Sequence, residues 1–170
     1  MRVTVFGGSG FLGSHVCDKL SQAGHEVVIF DLKESPWRSD NQIMVLGDIL
    51  DSNAVSKAVN GSDIIFNFAG IADIDETIDK PAETVMSNIL GNVHILEACR
   101  KNNIKRYIYA STVYVYSRSG GFYRCSKQAS ELYIENYHQQ YGLEYTILRY
   151  GSLYGPRADN KNAIHNFISQ

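Results

Sequence analysis

The chain has 170 residues, 44% of them apolar, which is enough for one domain with a proper core. Its 16 basic and 18 acidic residues leave a formal charge of −2, so no broad basic field draws it to nucleic acid or to an anionic membrane. Three widely spaced cysteines (Cys17, Cys99, Cys125) fit reduced thiols, no apolar run reaches the roughly 18 residues of a membrane helix, and strand pattern from residue 3 leaves no room for a signal peptide.

The expectation is therefore a cytoplasmic protein, and its elements alternate. "RVTVF" (2–6) reads as a strand, followed by a helix whose stripe of Leu12, Val16 and Leu20 stops at Gly24. Further strands read at "EVVIFD" (26–31), "IMVLG" (43–47), "IIFNF" (64–68), "YIYAS" (107–111) and "YTILRY" (145–150). Their near-continuous apolar content fits strands buried on both faces. The stretch 83–101 places Val85, Ile89, Val93, Leu96 and Cys99 on one side of a helix. A second long helix, 123–141, does the same with Ala129, Leu132, Tyr133 and Tyr137 and stops at Gly142. This alternation predicts a doubly wound α/β fold, a parallel sheet with helices on both faces. After a turn at Gly155-Pro156 a new helical period begins (Ile164, Phe167, Ile168). The expected division is one α/β domain over 1–157 and, over 158–170, the start of a further region whose remainder is missing.

Chemistry concentrates at the strand ends. "VFGGSGFLGSH" runs from the first strand into the first helix and satisfies G-x-G-x-x-G through Gly8, Gly10 and Gly13, and a wider glycine spacing through Gly7, Gly10 and Gly13. Glycine there permits a tight turn, close approach to a pyrophosphate, and contact between helix and sheet. The helix start then offers free N–H groups to phosphate. A plain tight turn uses the same residues, but Asp31 closes the second strand 18 residues beyond Gly13. An acid at that place accepts from the ribose hydroxyls of adenosine and repels a 2′-phosphate, which favours NAD over NADP. Asp48 and Ile49 end the third strand and either flank adenine or, for Asp48, cap the next helix. Ala69 and Gly70 after the fourth strand leave room for the central phosphates, or form a mere turn.

"YRCSK" (123–127) sets a phenol one helical turn ahead of an amine. A phenol titrates near pH 10, and a neighbouring cation favours phenolate, so Tyr123 and Lys127 can form a proton-transfer pair. Alternatively, Tyr123 packs against the sheet and Lys127 is a solvated helix lysine. His15, His25, His94 and His138 have no ligand-spaced neighbours, so no metal site is expected.

Taken in order, "GGSGFLG", "FD" (30–31), "GDI" (47–49), "FAG" (68–70), "NILGN" (88–92), "STVYVYS" (111–117), "YRCSK" and "LRYGSLYGPR" (148–157) resemble the extended short-chain dehydrogenase/reductases, the family of NAD-dependent sugar-nucleotide epimerases and dehydratases. The resemblance implies an NAD site that includes Phe11, Leu12, Leu32, Phe68, Asn88 and Tyr150 beside the residues above. It implies Tyr123 as general acid/base, Lys127 bonding the nicotinamide ribose, and Thr112 bonding the reacting sugar oxygen. It further implies a sugar-nucleotide substrate and a homodimer formed through helices 83–101 and 123–141. Three departures qualify it. Val113 and Tyr114 stand where dehydratases and decarboxylases carry an acid, which disfavours dehydration. Only ten residues separate Thr112 from Tyr123, fewer than is usual in epimerases. Gly151-Ser152 replaces a common Phe-Asn. The expected activity is NAD-dependent epimerisation of a sugar nucleotide, with a ketosugar reductase and a non-catalytic dinucleotide-binding module as the rival readings.

Overall fold

The computed structural model describes residues 1–158 and Phe167. The helix expected around Ile164 and Ile168 lies outside the described residues, apart from Phe167, which is helical and exposed.

Six strands form one parallel sheet: β1 (Arg2–Phe6), β2 (Glu26–Asp31), β3 (Gln42–Leu46), β4 (Ile64–Asn67), β5 (Arg106–Thr112) and β6 (Tyr145–Tyr150). Their order is β3-β2-β1-β4-β5-β6. The chain winds outward from β1 to β3, then returns to lay β4 against the other side of β1. That reversal opens a crevice at the carboxyl ends of β1 and β4, the place where open α/β sheets bind ligands.

Side chains alternate across the sheet, which explains why the strands read as unbroken apolar runs. Val3, Val5, Val27 and Ile29 pack with Cys17 of α1 (Phe11–Gln22) on one face. Phe6, Phe30, Ile65 and Tyr107 face the other way, into a larger core with α2 (Ser52–Val59), α5 (Gly91–Lys101) and α6 (Gly121–Tyr141). Both faces are thus covered, as parallel strands require.

The helical stripes read from the sequence need correction. Val85 is 51% exposed, and the buried side of this segment carries Thr84, Asn88, Asn92, Ile95 and Cys99. The segment is composite. A short α3 (Ile74–Asp79), capped by Asp73 accepting from Glu76 N at 3.0 Å, precedes α4 (Pro81–Thr84), a π-helical turn (Val85–Leu90) and α5. On α6, Leu132 and Tyr133 are exposed, while Ser126, Lys127, Ser130, Glu131, Ile134 and Tyr137 are buried. Polar side chains win the inward positions because hydrogen-bond partners await them there. Helix α2, in turn, is capped by Asp51, whose carboxylate accepts from Asn53 N and Ala54 N, and not by Asp48.

One such buried group anchors the crevice. Asn67, for which the sequence suggests no role, donates to Tyr107 Oη at 2.9 Å and accepts from Ala69 N at 3.0 Å, and Tyr107 Oη donates to Asn92 Oδ1 at 2.5 Å. The network ties the end of β4 to β5 and α5. Tyr107→Phe strips Asn67 and Asn92 of a shared buried partner. Urea unfolding is expected to show a loss of about 1–3 kcal/mol, the cost of leaving buried polar groups unsatisfied.

Candidate functional site

The glycine loop is packed so tightly that side chains cannot enter. A Cβ on Gly13 would lie 2.2 Å from Gly7 O, and one on Gly7, whose φ is +75°, would lie 2.6 Å from Ala69 N. The first turn of α1 therefore rests directly on the loop, and the loop on the turn after β4. Gly10 is the N-cap and makes no side-chain cap, and the first turn carries no acid. The amino end of α1 is left with unsatisfied N–H groups and its partial positive charge, a match for a pyrophosphate. Asp31 closes the loop from the β2 side: its carboxylate accepts from Ser9 N at 3.0 Å and from Lys33 N at 3.3 Å.

Two clefts meet over this loop. One, of about 340 Å³, runs past Asp31, Leu32, Asp48 and Ile49 toward Phe68 and Ala69. The other, of about 610 Å³, is bordered by Phe11, Leu12 and Gly13 and reaches Thr112, Tyr123, Lys127 and Tyr150. They share Gly7, Gly10, Phe68 and Gly70, so the two form one trough along the carboxyl edge of the sheet. Every residue predicted for the site borders this trough except Asn88. Asn88 lies beneath it, fully engaged: Oδ1 accepts from Ile71 N at 2.8 Å, and Nδ2 donates to Ile71 O and to Ser126 Oγ, each at 2.9 Å. The side chain staples the loop after β4 to α6, so its place is that of a support for the site and not of a contact in it.

At the far end of the trough, Thr112 closes β5 and its Oγ1 accepts from Tyr114 N at 3.3 Å, which starts a 3-10 turn (Val113–Tyr116). The chain then bends through Gly120, at φ +95°, straight into α6. This tight entry puts Tyr123 in the first turn of α6, opposite Thr112. Lys127 follows one turn later, 5% exposed, donating to Ala110 O at 2.8 Å with its nitrogen 4.7 Å from the centre of the Tyr109 ring and 5.7 Å from that of Tyr123.

Burial acts on both groups. It pulls the Lys127 amine down to about 8, against an opposing pull from Glu131. It pushes the Tyr123 phenol above its ordinary value, opposed by a hydrogen bond from the Thr112 hydroxyl and reinforced by Tyr114. The sequence led us to expect a phenol made acidic by its amine neighbour. In the chain by itself desolvation outweighs that effect, because both groups lie in the same poorly solvated cleft end. Ile71 and Ser87 also border the trough and escaped the sequence reading, while Val113 and Tyr114, noted there only as positions lacking an acid, border it too. Among the described residues no cluster of three or more His, Cys, Asp or Glu could hold a metal, and no helix is long and apolar enough to cross a membrane.

The trough is thus floored by glycine, with an acid at one end and a hydroxyl, a phenol and an amine at the other. Residues 3–170 match the NAD dependent epimerase/dehydratase family, and the chain belongs to that family. It is 32% identical to a putative UDP-glucose 4-epimerase of Methanocaldococcus jannaschii, across 94% of this chain and 58% of that protein. It is 33% identical to a UDP-N-acetyl-alpha-D-glucosaminuronate decarboxylase of Bacillus cytotoxicus, across 92% of this chain and 56% of that one. Among solved structures it is similar to the UDP-glucose 4-epimerase of Thermotoga maritima with UDP-glucose, at a TM-score of 0.92 and 28% identity, covering 99% of this chain and 62% of that one. The chain thus spans less than two thirds of each. The first of these alignments runs over 178 positions although it takes in only 94% of a 170-residue chain, so the relative carries internal residues that this chain lacks.

The buried amine leaves a mark on stability. Unfolded, Lys127 keeps its proton up to its ordinary 10.5, whereas folded it releases it near 8. Between these values the unfolded state binds more protons, so the folded state gains on it as pH rises. Lys127→Met removes that gain. Urea unfolding from neutral pH upward should find the variant's stability relative to wild type greatest below pH 8 and falling by about 3 kcal/mol toward 10.5.

Proposed function

We propose that this chain is the cofactor-binding and catalytic part of an NAD-dependent sugar-nucleotide epimerase. The observation that carries the reading is the convergence of Thr112, Tyr123 and Lys127 on a cleft continuous with the glycine-loop trough. The glycine loop, the open start of α1 and Asp31 would hold NAD, with Leu32, Asp48 and Ile49 at its adenosine end. When bound, NAD would supply a hydride acceptor and a positive charge beside the phenol.

Tyr123 would take the proton of a sugar hydroxyl while hydride leaves the same carbon. The resulting keto sugar would receive hydride back on its opposite face, with the proton returned from Tyr123. Thr112 would hold the reacting oxygen through its hydroxyl, and Lys127, charged, would oppose the negative charge on the phenol oxygen. The raised pKa of the phenol means that in the chain alone Tyr123 is neutral and poised as an acid. Its work as a base depends on cations gathered near it. Dehydration fits poorly, since Val113 and Tyr114 border the cleft where an acid would be needed.

A second reading, one-way reduction of a ketosugar, is favoured by the short connector between Thr112 and Tyr123, which leaves Val113 exposed at the cleft. Stoichiometry separates the two, because an epimerase shows no net change in dinucleotide and a reductase oxidises one per product. Tyr123→Phe should lower turnover at least about a hundredfold, the usual scale for a lost acid/base, with NAD affinity nearly unchanged in calorimetry. Full activity in that variant would end both readings.

The same reading includes a homodimer. Leu132 (60%), Tyr133 (47%) and Tyr141 (56%) on the outer face of α6, and Val85 and Met86 before α5, expose more large apolar surface than a lone helix face needs. A second copy of this face would cover it as a four-helix contact. Leu132→Glu should shift sedimentation from dimer to monomer, and a wild-type protein that sediments as a monomer at every concentration would remove this part.

A further inference from the structure

Two aromatic rings flank the amine of Lys127. Tyr109 on β5 and Tyr123 on α6 are its near neighbours, and Tyr114 in the 3-10 turn and Tyr150 on β6 border the same cleft. Glu131, one further turn along α6, is a carboxylate that acts on the charge of Lys127, and α3, α4 and α5, which also pack on α6, carry Asp75, Glu76, Asp79, Glu83 and Glu97. The i, i+4 spacing ordinarily lets such a pair meet directly. Here the carboxylate turns instead to Arg149 on β6. Its Oε1 accepts from Ser111 Oγ at 2.5 Å and Arg149 Nε at 3.0 Å, and its Oε2 accepts from Arg149 Nη2 at 2.7 Å. Tyr116 holds Arg149 from outside, with its ring 4.8 Å from the guanidinium carbon and its hydroxyl hydrogen-bonded to Nη1. Charge therefore alternates inward from Arg149 to Glu131 to Lys127, and ends at the Tyr123 phenol.

The arrangement divides two tasks. A lysine buried with no anion nearby gives up its proton and its charge. A lysine locked in a direct ion pair keeps its charge but is drawn away from other partners. Guanidinium, with a planar fork that matches a carboxylate, can occupy both oxygens at once. Among the described residues Lys127 is then left with one hydrogen bond, to Ala110 O, and with donors to spare at the cleft.

We propose that Glu131 and Arg149 are positioning residues for the reaction: Glu131 keeps the buried Lys127 ammonium charged, and Arg149 keeps Glu131 from capturing it. This rests on the proposed part of Lys127 beside Tyr123 and extends it to two residues that border neither cleft. The two substitutions act in opposite directions. Glu131→Gln removes the anion and makes Lys127 a weaker base. Arg149→Gln frees the carboxylate to swing onto Lys127 and makes it a stronger one. A merely structural pair predicts equal loss of stability from both and no such divergence.

The test is NMR titration of the full chain carrying lysine labelled with carbon-13 at Cε, the Lys127 signal being identified by its absence from Lys127→Met. Wild type should titrate near 8. Glu131→Gln should move the midpoint down, and Arg149→Gln up, each by about one pH unit, a tenfold change in proton affinity. Arg149→Lys, which keeps a cation but loses the fork, should move it up by less, and it serves as the upward arm if Arg149→Gln does not fold. Midpoints that stay in place, or move the same way in both variants, overturn the proposal. Unmoved midpoints together with an inactive Tyr123→Phe overturn the pair alone. Opposed shifts together with a fully active Tyr123→Phe overturn the catalytic reading on which the role of the pair rests.

Discussion

The contact on which the molecule's function turns is the one between Gly13 and Gly7. With 2.2 Å between a hypothetical Cβ and a carbonyl oxygen, only hydrogen can stand there, and the amino end of α1 is thereby pressed against the loop leaving β1. The helix start then points its free N–H groups into the crevice that the reversal of strand order opens between β1 and β4. Asp31 and the turn after β4 are built onto that loop by hydrogen bonds and close packing. A side chain at either glycine would push helix and loop apart and displace both.

At the opposite end of the trough the governing physics is desolvation. The sheet end and α6 enclose a phenol and an amine together, and burial moves each toward its neutral form. Two neutral groups would be inert as a base and its support. The surrounding charges decide whether they stay so, which is why a carboxylate and a guanidinium behind Lys127 matter as much as the pair facing the cleft. The short passage through Gly120 into α6 sets Tyr123 opposite Thr112 with little chain to spare. It also leaves Tyr116 outside, against Arg149.

The interior of this half of the fold is unusually polar for a packed core. Asn67, Asn88, Asn92, Ser126 and Ser130 are all buried, and they link β4, the π-helical turn, α5 and α6. Such groups tolerate burial only with partners in good geometry, and so they specify one arrangement of the elements beneath the trough more sharply than apolar packing would. The outward turn of Val85, Leu132 and Tyr133 follows from this, since the polar residues claim the inner face and the apolar ones are left outside.

Local sequence determined the strands, the glycine loop, the acid after β2 and the spacing of Tyr123 and Lys127. Each is a short-range pattern whose meaning is set by backbone sterics and helical period, and strand bounds read from it differ from the structure by only a residue or so. Tertiary structure alone decided which helix faces turn inward, that Asn88 supports the site from below, and that Glu131 answers to Arg149, 18 residues away in sequence, although Lys127 sits one turn away. It also decided the sign of the shift on Tyr123. Those outcomes depend on burial and on partners brought together by the sheet, quantities that do not exist until distant segments are packed, so no window of the sequence could contain them.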